Sequence, residues 1–210
     1  MLDDATVRPP QQARSRQAWE RILDVGAELL VEGGTEALTI AEVCRRSGTT
    51  PPTLYARVNG KAGLFAAVYA RCMEQVRATE DRAWEQLPRP GASSEARAVD
   101  VVVALEEVFS THEALLRPLV RAAADDADLR HHGAIHARRL LRRVRVALAV
   151  DDETAEVVGR TLFSEWVVRV VYGPAFYDED GESLEEFRVR LTRTVTALVA
   201  ARGPSRQPRP

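Results

Sequence analysis

The sequence predicts an all-α protein with a small N-terminal domain followed by a larger helical domain. The 210 residues exceed one three-helix unit and fall short of two average domains. Only 6% of them are aromatic, and long stretches are rich in Ala, Leu, Val, Glu and Arg, which favours helices over strands. Both ends are rich in Pro, which indicates disorder. We therefore expect a disordered arm at 1–12, domains at 13–75 and 76–202, and a disordered tail at 203–210.

The first helix is predicted to begin near Ala13 and to end at Gly33-Gly34, because glycine commonly terminates helices. Its apolar residues recur every three or four positions, which predicts an amphipathic helix with one buried stripe. The stripe consists of Ala18, Ile22, Val25 and Leu29. The helix is therefore expected to pack one face against the rest of its domain.

A second helix is predicted to start after Thr39. Thr39 and Glu42 have the spacing of a capping box, and Leu38 and Val43 flank them as a hydrophobic staple. Gly48 then permits the left-handed backbone that a sharp interhelical turn requires. These features predict a helix-turn-helix unit.

The third helix is short, running from Pro51 to about Arg57, with Thr50 as its N-cap. Its early side chains, Pro51, Pro52 and Thr53, are expected to face a major groove. After a break, Lys61 begins a long fourth helix whose N-terminal end suits a phosphate.

The segment from about Arg16 to Arg71 resembles the DNA-binding domain of TetR-family transcriptional repressors. That family has a Thr-led second helix, a turn Gly, a Tyr, an aromatic residue three positions later and a Lys three positions after that. The matching positions are Thr39, Gly48, Tyr55, Val58 and Lys61. This chain departs from the pattern at Val58, where the family usually has Phe, and at Pro51-Pro52, where Lys-Gly is common.

The resemblance implies that double-stranded DNA is the partner and that a few side chains position it. Thr39, Thr50, Tyr55 and Lys61 would hold phosphates, whereas Thr53 and Arg57 would lie near base edges or the adjoining backbone. Arg16, with Arg14, would add a basic arm to the neighbouring groove. Plainer interpretations stay open: Thr39 is at least a helix cap, Tyr55 a half-buried ring and Arg57 an exposed charge. Arg45 and Arg46 are expected on the solvated surface.

Composition limits the other functions. The net charge of −2 means that DNA binding must rest on a local patch. Cys44 and Cys72 lack close-spaced partners, which argues against a disulfide framework or a zinc site and favours a reducing cytoplasm. The sequence has no apolar run of membrane-spanning length and no signal-peptide core. We expect a cytoplasmic protein without a membrane segment.

Five further helices are predicted in the second domain, and Ser183 with Glu186 forms a capping box before the last one. The resemblance implies that the last two helices pair with their copies across a two-fold axis. Such a homodimer would present two recognition helices about 34 Å apart to a palindromic site. Alternatively, both helices close the core of the monomer. The predicted helices are 95–110, 113–124, 129–150, 153–172 and 183–201.

A ligand-responsive repressor also needs an effector site. We expect a largely apolar small molecule among the helices of the second domain, which releases the protein from DNA. The expected lining residues, each of which is equally an ordinary core residue, are Phe109, Leu116, Leu141, Leu162 and Trp166. Two alternatives remain: an activator or ligand-independent regulator of the same build, and a helical small-molecule-binding protein or enzyme that binds no DNA.

No catalytic motif, metal site or cofactor is predicted. Asp128, His132 and His136 share one helical face and have the spacing of metal ligands, but surface exposure is the favoured interpretation. The basic residues between positions 138 and 145 form either a solvated helix face or a surface that attracts an acidic ligand. The nucleophile elbow, Gly-rich phosphate loop and zinc-protease motif do not occur. We therefore do not expect an enzyme.

Overall fold

A computed structural model of the chain describes residues 13–202, and in that range it contains nine α-helices and no strand. The all-α prediction is confirmed. The predicted arm at 1–12 and tail at 203–210 lie outside the described residues. The helices are α1 (Ala13–Ala37), α2 (Ile40–Ser47), α3 (Pro51–Tyr55), α4 (Gly60–Trp84), α5 (Ser94–Thr111), α6 (Glu113–Ala122), α7 (Ala127–Leu148), α8 (Asp152–Tyr172) and α9 (Leu184–Arg202).

Contacts between described residues group them into two compact units. The first unit contains 13–77 and 114–130, and the second contains 78–113 and 131–202. The boundary expected at residue 75 lies inside α4. Helix α6 was expected in the second domain, but it makes its contacts within the first unit. The domain limits of 13–75 and 76–202 stay a prediction.

In the first unit, α1 contributes Ile22, Leu29 and Leu30 to the core, each no more than 1% exposed. The regular backbone of α1 breaks at Gly33 and Gly34, as the sequence predicts, and Gly34 has a left-handed φ of 64°. α2 begins at the predicted cap, where the Glu42 N–H donates to the Thr39 hydroxyl at 3.2 Å. Helix boundaries in this unit therefore follow from local sequence signals.

The capping box at α2 is only half formed, which corrects the sequence interpretation. The Thr39 N–H donates to the carbonyl oxygen of Ala37 at 2.9 Å. The Glu42 carboxylate instead binds the guanidinium groups of Arg45 and Arg46. A charged partner makes a stronger hydrogen bond than a neutral amide does, so the carboxylate is drawn along α2.

The capping box at α9 is complete. The Ser183 N–H donates to Glu186 Oε2 at 2.9 Å, and the Glu186 N–H donates to Ser183 Oγ at 3.2 Å. The Ser183 hydroxyl also donates to Glu186 Oε2 at 2.6 Å, and this hydrogen bond, together with the one from the Ser183 N–H, stabilises the carboxylate and lowers the pKa of Glu186. The predicted start of the last helix is therefore confirmed.

The second unit has an aromatic core. The Trp166 ring stacks on Phe109 at a centroid distance of 5.2 Å and meets Phe187 edge-on at 4.8 Å. The guanidinium groups of Arg169 and Arg190 lie over the Phe187 ring at 4.7 and 5.1 Å. This arrangement connects α5, α8 and α9. No helix within 13–202 is both long and apolar enough to cross a membrane.

Candidate nucleic-acid interface

The turn between α2 and α3 is built as predicted. Gly48 has a φ of 67° and its N–H donates to the carbonyl oxygen of Cys44, which closes α2. Leu54 is fully buried and anchors α3, whereas Pro51, Pro52 and Thr53 are exposed. The exposed side of α3 therefore carries the side chains that were expected to meet DNA.

Thr50 occupies the N-cap position of α3 but makes no side-chain cap hydrogen bond. Its hydroxyl pairs with the Thr53 hydroxyl at 2.9 Å. Pro51 and Pro52 have no backbone N–H, so this helix start has fewer donors to satisfy. The two hydroxyl groups are exposed together and offer a donor to an approaching anion.

Tyr55 and Lys61 flank the link between α3 and α4. The Tyr55 ring is 54% exposed, and Lys61 is exposed in the first turn of α4. Gly60, at the helix start, has a left-handed φ of 69°. Val58, the departure from the family pattern, is 2% exposed and therefore belongs to the core, as expected.

The Arg57 side chain is only partly exposed, because it contacts residues of α1. Its guanidinium donates to the Ser15 hydroxyl and lies 5.7 Å from the centre of the Trp19 ring. It therefore connects the segment after α3 to the first turns of α1, where Arg16 is exposed. The contacts with Ser15 and Trp19 were not predicted, because residues 42 and 38 positions apart give no periodic signal.

Arg45 and Arg46 are exposed, as expected, but they are held by acids. Arg45 makes two hydrogen bonds to Glu42, at 2.6 and 2.8 Å, and Arg46 makes one at 2.7 Å. Arg46 also binds Glu32 at 2.8 Å. The hydrogen bonds from Arg45 and Arg46 lower the pKa of Glu42 to about 2. Their surface position was expected, but their pairing with Glu42 was not.

The expected effector residues are not all in one unit. Phe109, Leu162 and Trp166 are buried in the second unit, and Leu141 is partly exposed there, with its side chain against Gly159. Leu116 lies in α6, whose contacts belong to the first unit. The buried side chains of α6 are Leu115 and Leu119, whereas Leu116 is only partly buried.

The remaining charged candidates do not converge on a chemical site. Within 13–202, no group of three or more His, Cys, Asp and Glu side chains is arranged to hold a metal ion. In the basic run of α7, Arg139 and Arg143 pair with Glu80 and Asp81 of α4. The run is therefore partly neutralised within the protein.

Comparison with known proteins identifies the N-terminal unit. Residues 22–68 match the family model described as bacterial regulatory proteins, tetR family. The HTH-type transcriptional repressor ComR of Escherichia coli (strain K12) is 24% identical over 172 residues, which cover 78% of this chain and 80% of that protein. The match includes the turn, Tyr55 and Lys61, the same segment that carries the exposed polar side chains.

Solved structures share the fold over nearly the whole chain. A protein of Streptomyces coelicolor A3(2) described as a transcriptional regulator has a TM-score of 0.67 at 17% identity, covering 87% of this chain and 98% of that one. A TetR-family transcriptional regulator from Rhodococcus sp. has a TM-score of 0.62 at 17% identity, with the same coverage. With the helix-turn-helix geometry and the family match over residues 22–68, these findings show that the N-terminal segment is similar to the DNA-binding segment of TetR-family transcriptional regulators and that the chain shares their fold.

Proposed function

We propose that this regulator is a cytoplasmic repressor that binds a palindromic operator as a homodimer and leaves it when a small molecule binds. The observation that carries the proposal is the exposed polar surface around α3, formed by Thr50, Thr53, Tyr55 and Lys61 on a buried Leu54 anchor. Regulators of this family bind DNA and typically form dimers. The Escherichia coli relative is named a repressor, which favours repression here.

The proposed roles divide into positioning and base reading. Thr39, Thr50, Tyr55 and Lys61 hold phosphates, because hydroxyl and ammonium donors fix a duplex without reading its sequence. Pro51 and Thr53 lie near base edges. Arg57 is assigned chiefly to holding α1, through Ser15 and Trp19, so that Arg16 reaches the neighbouring groove. Since α3 offers few hydrogen-bonding side chains, much of the sequence preference would come from apolar contact and DNA shape.

Replacing Lys61 or Tyr55 by Ala is expected to weaken DNA binding about equally for all sequences. Each change removes a phosphate contact, and the Lys61 change should reduce the salt slope of log K by about one. Fluorescence anisotropy over a salt series measures both quantities. Tyr177→Ala and Arg160→Ala, which alter exposed residues of the second unit, are the matched controls and should leave the slope unchanged. Unaltered affinity and slope in both test variants would contradict the phosphate roles.

The proposed dimer uses α9 together with α8. The outer face of α9 contains a surface groove of about 590 Å³ lined by Glu185, Glu186, Val189, Arg190, Arg193 and Thr194. Val189 is an exposed apolar residue at its centre, with Glu185 four residues before it and Arg193 four residues after it. A second α9 packed antiparallel about Val189 would therefore place each Glu185 opposite Arg193 of the other copy. This face is self-complementary, as a two-fold interface requires.

Replacing Glu185 by Arg is expected to raise the dissociation constant of the dimer by at least about tenfold, because like charges would then meet twice in one interface. The double variant Glu185→Arg/Arg193→Glu restores opposite charges and should restore the dimer. Sedimentation equilibrium at low salt measures the constant. Equal dimer stability in all three proteins would mean that α9 does not pair in this register.

The effector is proposed to enter the aromatic part of the second unit. Phe109 and Trp166 supply stacked apolar rings, and the indole Nε1 of Trp166 is buried without a hydrogen-bond partner among residues 13–202. A ligand with an apolar body and one acceptor oxygen would satisfy that donor. A thermal-shift screen with such compounds separates this proposal from a ligand-independent regulator. Reporter expression after deletion of the gene separates a repressor from an activator.

A further inference from the structure

Two cationic side chains in the last turn of α2, Arg45 and Arg46, are already bound by an acidic residue of the same helix. Glu42 lies in the first turn of α2, one turn from the Thr39 hydroxyl, and its two carboxylate oxygens accept three hydrogen bonds from Arg45 and Arg46. Both guanidinium groups are therefore drawn back toward the end of α2 that carries Thr39. The Arg45 side chain is 68% exposed, so it is held at the surface without being buried.

These cations are a large share of the positive charge in the helix-turn-helix segment. Residues 39–61 contain four basic side chains, Arg45, Arg46, Arg57 and Lys61. Arg57 is engaged with Ser15 and Trp19 of α1. Glu42 thus occupies two of the four, in a chain whose net charge is −2. Affinity for the DNA backbone depends on such local cations, because each phosphate that is neutralised releases a counterion.

We propose that Glu42 is an internal competitor of the DNA phosphates, which holds Arg45 and Arg46 and so limits the affinity of this regulator for DNA of any sequence. The inference rests on the proposed DNA-binding surface of α2 and α3. A carboxylate offers guanidinium the same two-oxygen geometry that a phosphate offers, so the two anions compete for one donor fork. Ion pairs at the surface contribute little stability, and a phosphate can therefore replace the carboxylate without unfolding α2.

This competition should improve the discrimination between operator and non-operator DNA. Contacts to phosphates raise binding to operator and non-operator DNA alike, whereas base contacts raise binding to the operator alone. Because a genome offers a large excess of non-specific sites, lower backbone affinity leaves more protein free to find its operator. Glu42 would therefore act on specificity without touching a base.

The competition is expected to depend on salt and not on pH near neutrality. Arg45 and Arg46 hold the pKa of Glu42 at about 2, below its ordinary value of 4.5. The carboxylate is therefore ionised throughout the physiological range, and its pairing with the two arginines is lost only as the pH falls through about 2. Between pH 6 and pH 8 the difference between variants at Glu42 should stay constant, whereas added salt should reduce it.

The test is the variant Glu42→Gln, which keeps the backbone hydrogen bond to Thr39 and removes the charge. It is expected to bind a non-operator duplex about three to ten times more tightly at low salt, with a salt slope steeper by about one to two. Glu32→Gln is the matched control, because Glu32 holds Arg46 alone and should give a smaller effect. Adding Arg45→Ala and Arg46→Ala to Glu42→Gln should remove the gain. Thermal melting of every variant verifies that α2 is intact.

Two results would overturn the inference. Folded Glu42→Gln protein with wild-type affinity and slope would show that Arg45 and Arg46 do not reach phosphates. Weaker binding would show that Glu42 positions the two guanidinium groups for the duplex and does not compete with it. Lys61→Ala, measured in the same series, tests the proposed DNA-binding surface separately from the role of Glu42. If Lys61→Ala also leaves the salt slope unchanged, the DNA-binding surface itself is misassigned.

Discussion

Replacing Phe187 by Ala is expected to lower the free energy of unfolding by about 3–5 kcal/mol, which is the usual cost of removing a large buried aromatic ring. Phe187 is 2% exposed and meets Trp166 edge-on at 4.8 Å. Arg169 and Arg190 lie over its ring, so the truncation also removes two cation–π contacts. A loss of this size is a large fraction of the stability of an ordinary protein.

The contribution of the arginines can be separated from that of the cavity. Phe187→Leu leaves a smaller cavity but also lacks the aromatic face, so it should fall between wild type and Phe187→Ala. Phe176→Ala, at a ring that is 49% exposed, is the control and should change stability by less than about 0.5 kcal/mol. Chemical denaturation followed by circular dichroism gives the free energies. Equal losses at Phe176 and Phe187 would mean that the aromatic core does not stabilise the second unit.

The features of the fold that were predicted correctly depend on residues that are close together in the sequence. The helix starts after Thr39 and Ser183, the left-handed turn at Gly48 and the break at Gly33 all depend on residues within a few positions of one another. Caps and glycine turns act through the backbone of their own segment, so a single sequence carries the full signal. The same holds for the helix-turn-helix pattern, which lies within residues 22–68, the segment that matches the tetR family model.

Contacts between distant segments were predicted poorly. Arg57 was expected at the DNA, yet it binds Ser15 and Trp19, and α6 was expected in the second domain, yet it makes its contacts within the first unit. The direction of a long side chain depends on which residues the fold brings near it. Periodicity does not show which helix a given helix packs against, so Leu116 was expected among effector residues of the second domain although the contacts of α6 belong to the first unit.

The sequence pattern also did not predict where two helices pack closely against each other. Gly26 gave no signal in the sequence, because an isolated glycine in a helical pattern resembles a tolerated defect. A Cβ atom at this position would lie 2.4 Å from Cγ2 of Val68, which is fully buried in α4. Gly26 is therefore the residue that allows α1 and α4 to approach each other.

Replacing Gly26 by Ala is consequently expected to destabilise the protein by about 1–3 kcal/mol, because the added methyl group overpacks the contact. Valine has a stiff side chain and cannot turn away freely, so the cost outweighs the gain in helix propensity of roughly 1 kcal/mol. Gly133→Ala is the matched control: among residues 13–202, no atom outside the adjoining segment of α7 lies within 4 Å of the added Cβ, and stability should rise. Denaturant titration measures both.

Adding Val68→Ala to Gly26→Ala tests the cause of that loss. The smaller side chain makes room for the new methyl group, so the double variant should be more stable than the sum of the two single changes predicts. A coupling of about 0.5–3 kcal/mol between the positions is expected for residues in direct contact. Additive effects would place the strain elsewhere in α1. Because Lys61 lies in the first turn of α4, a Gly26 variant that stays folded but shifts α4 should weaken DNA binding, whereas Gly133→Ala should not.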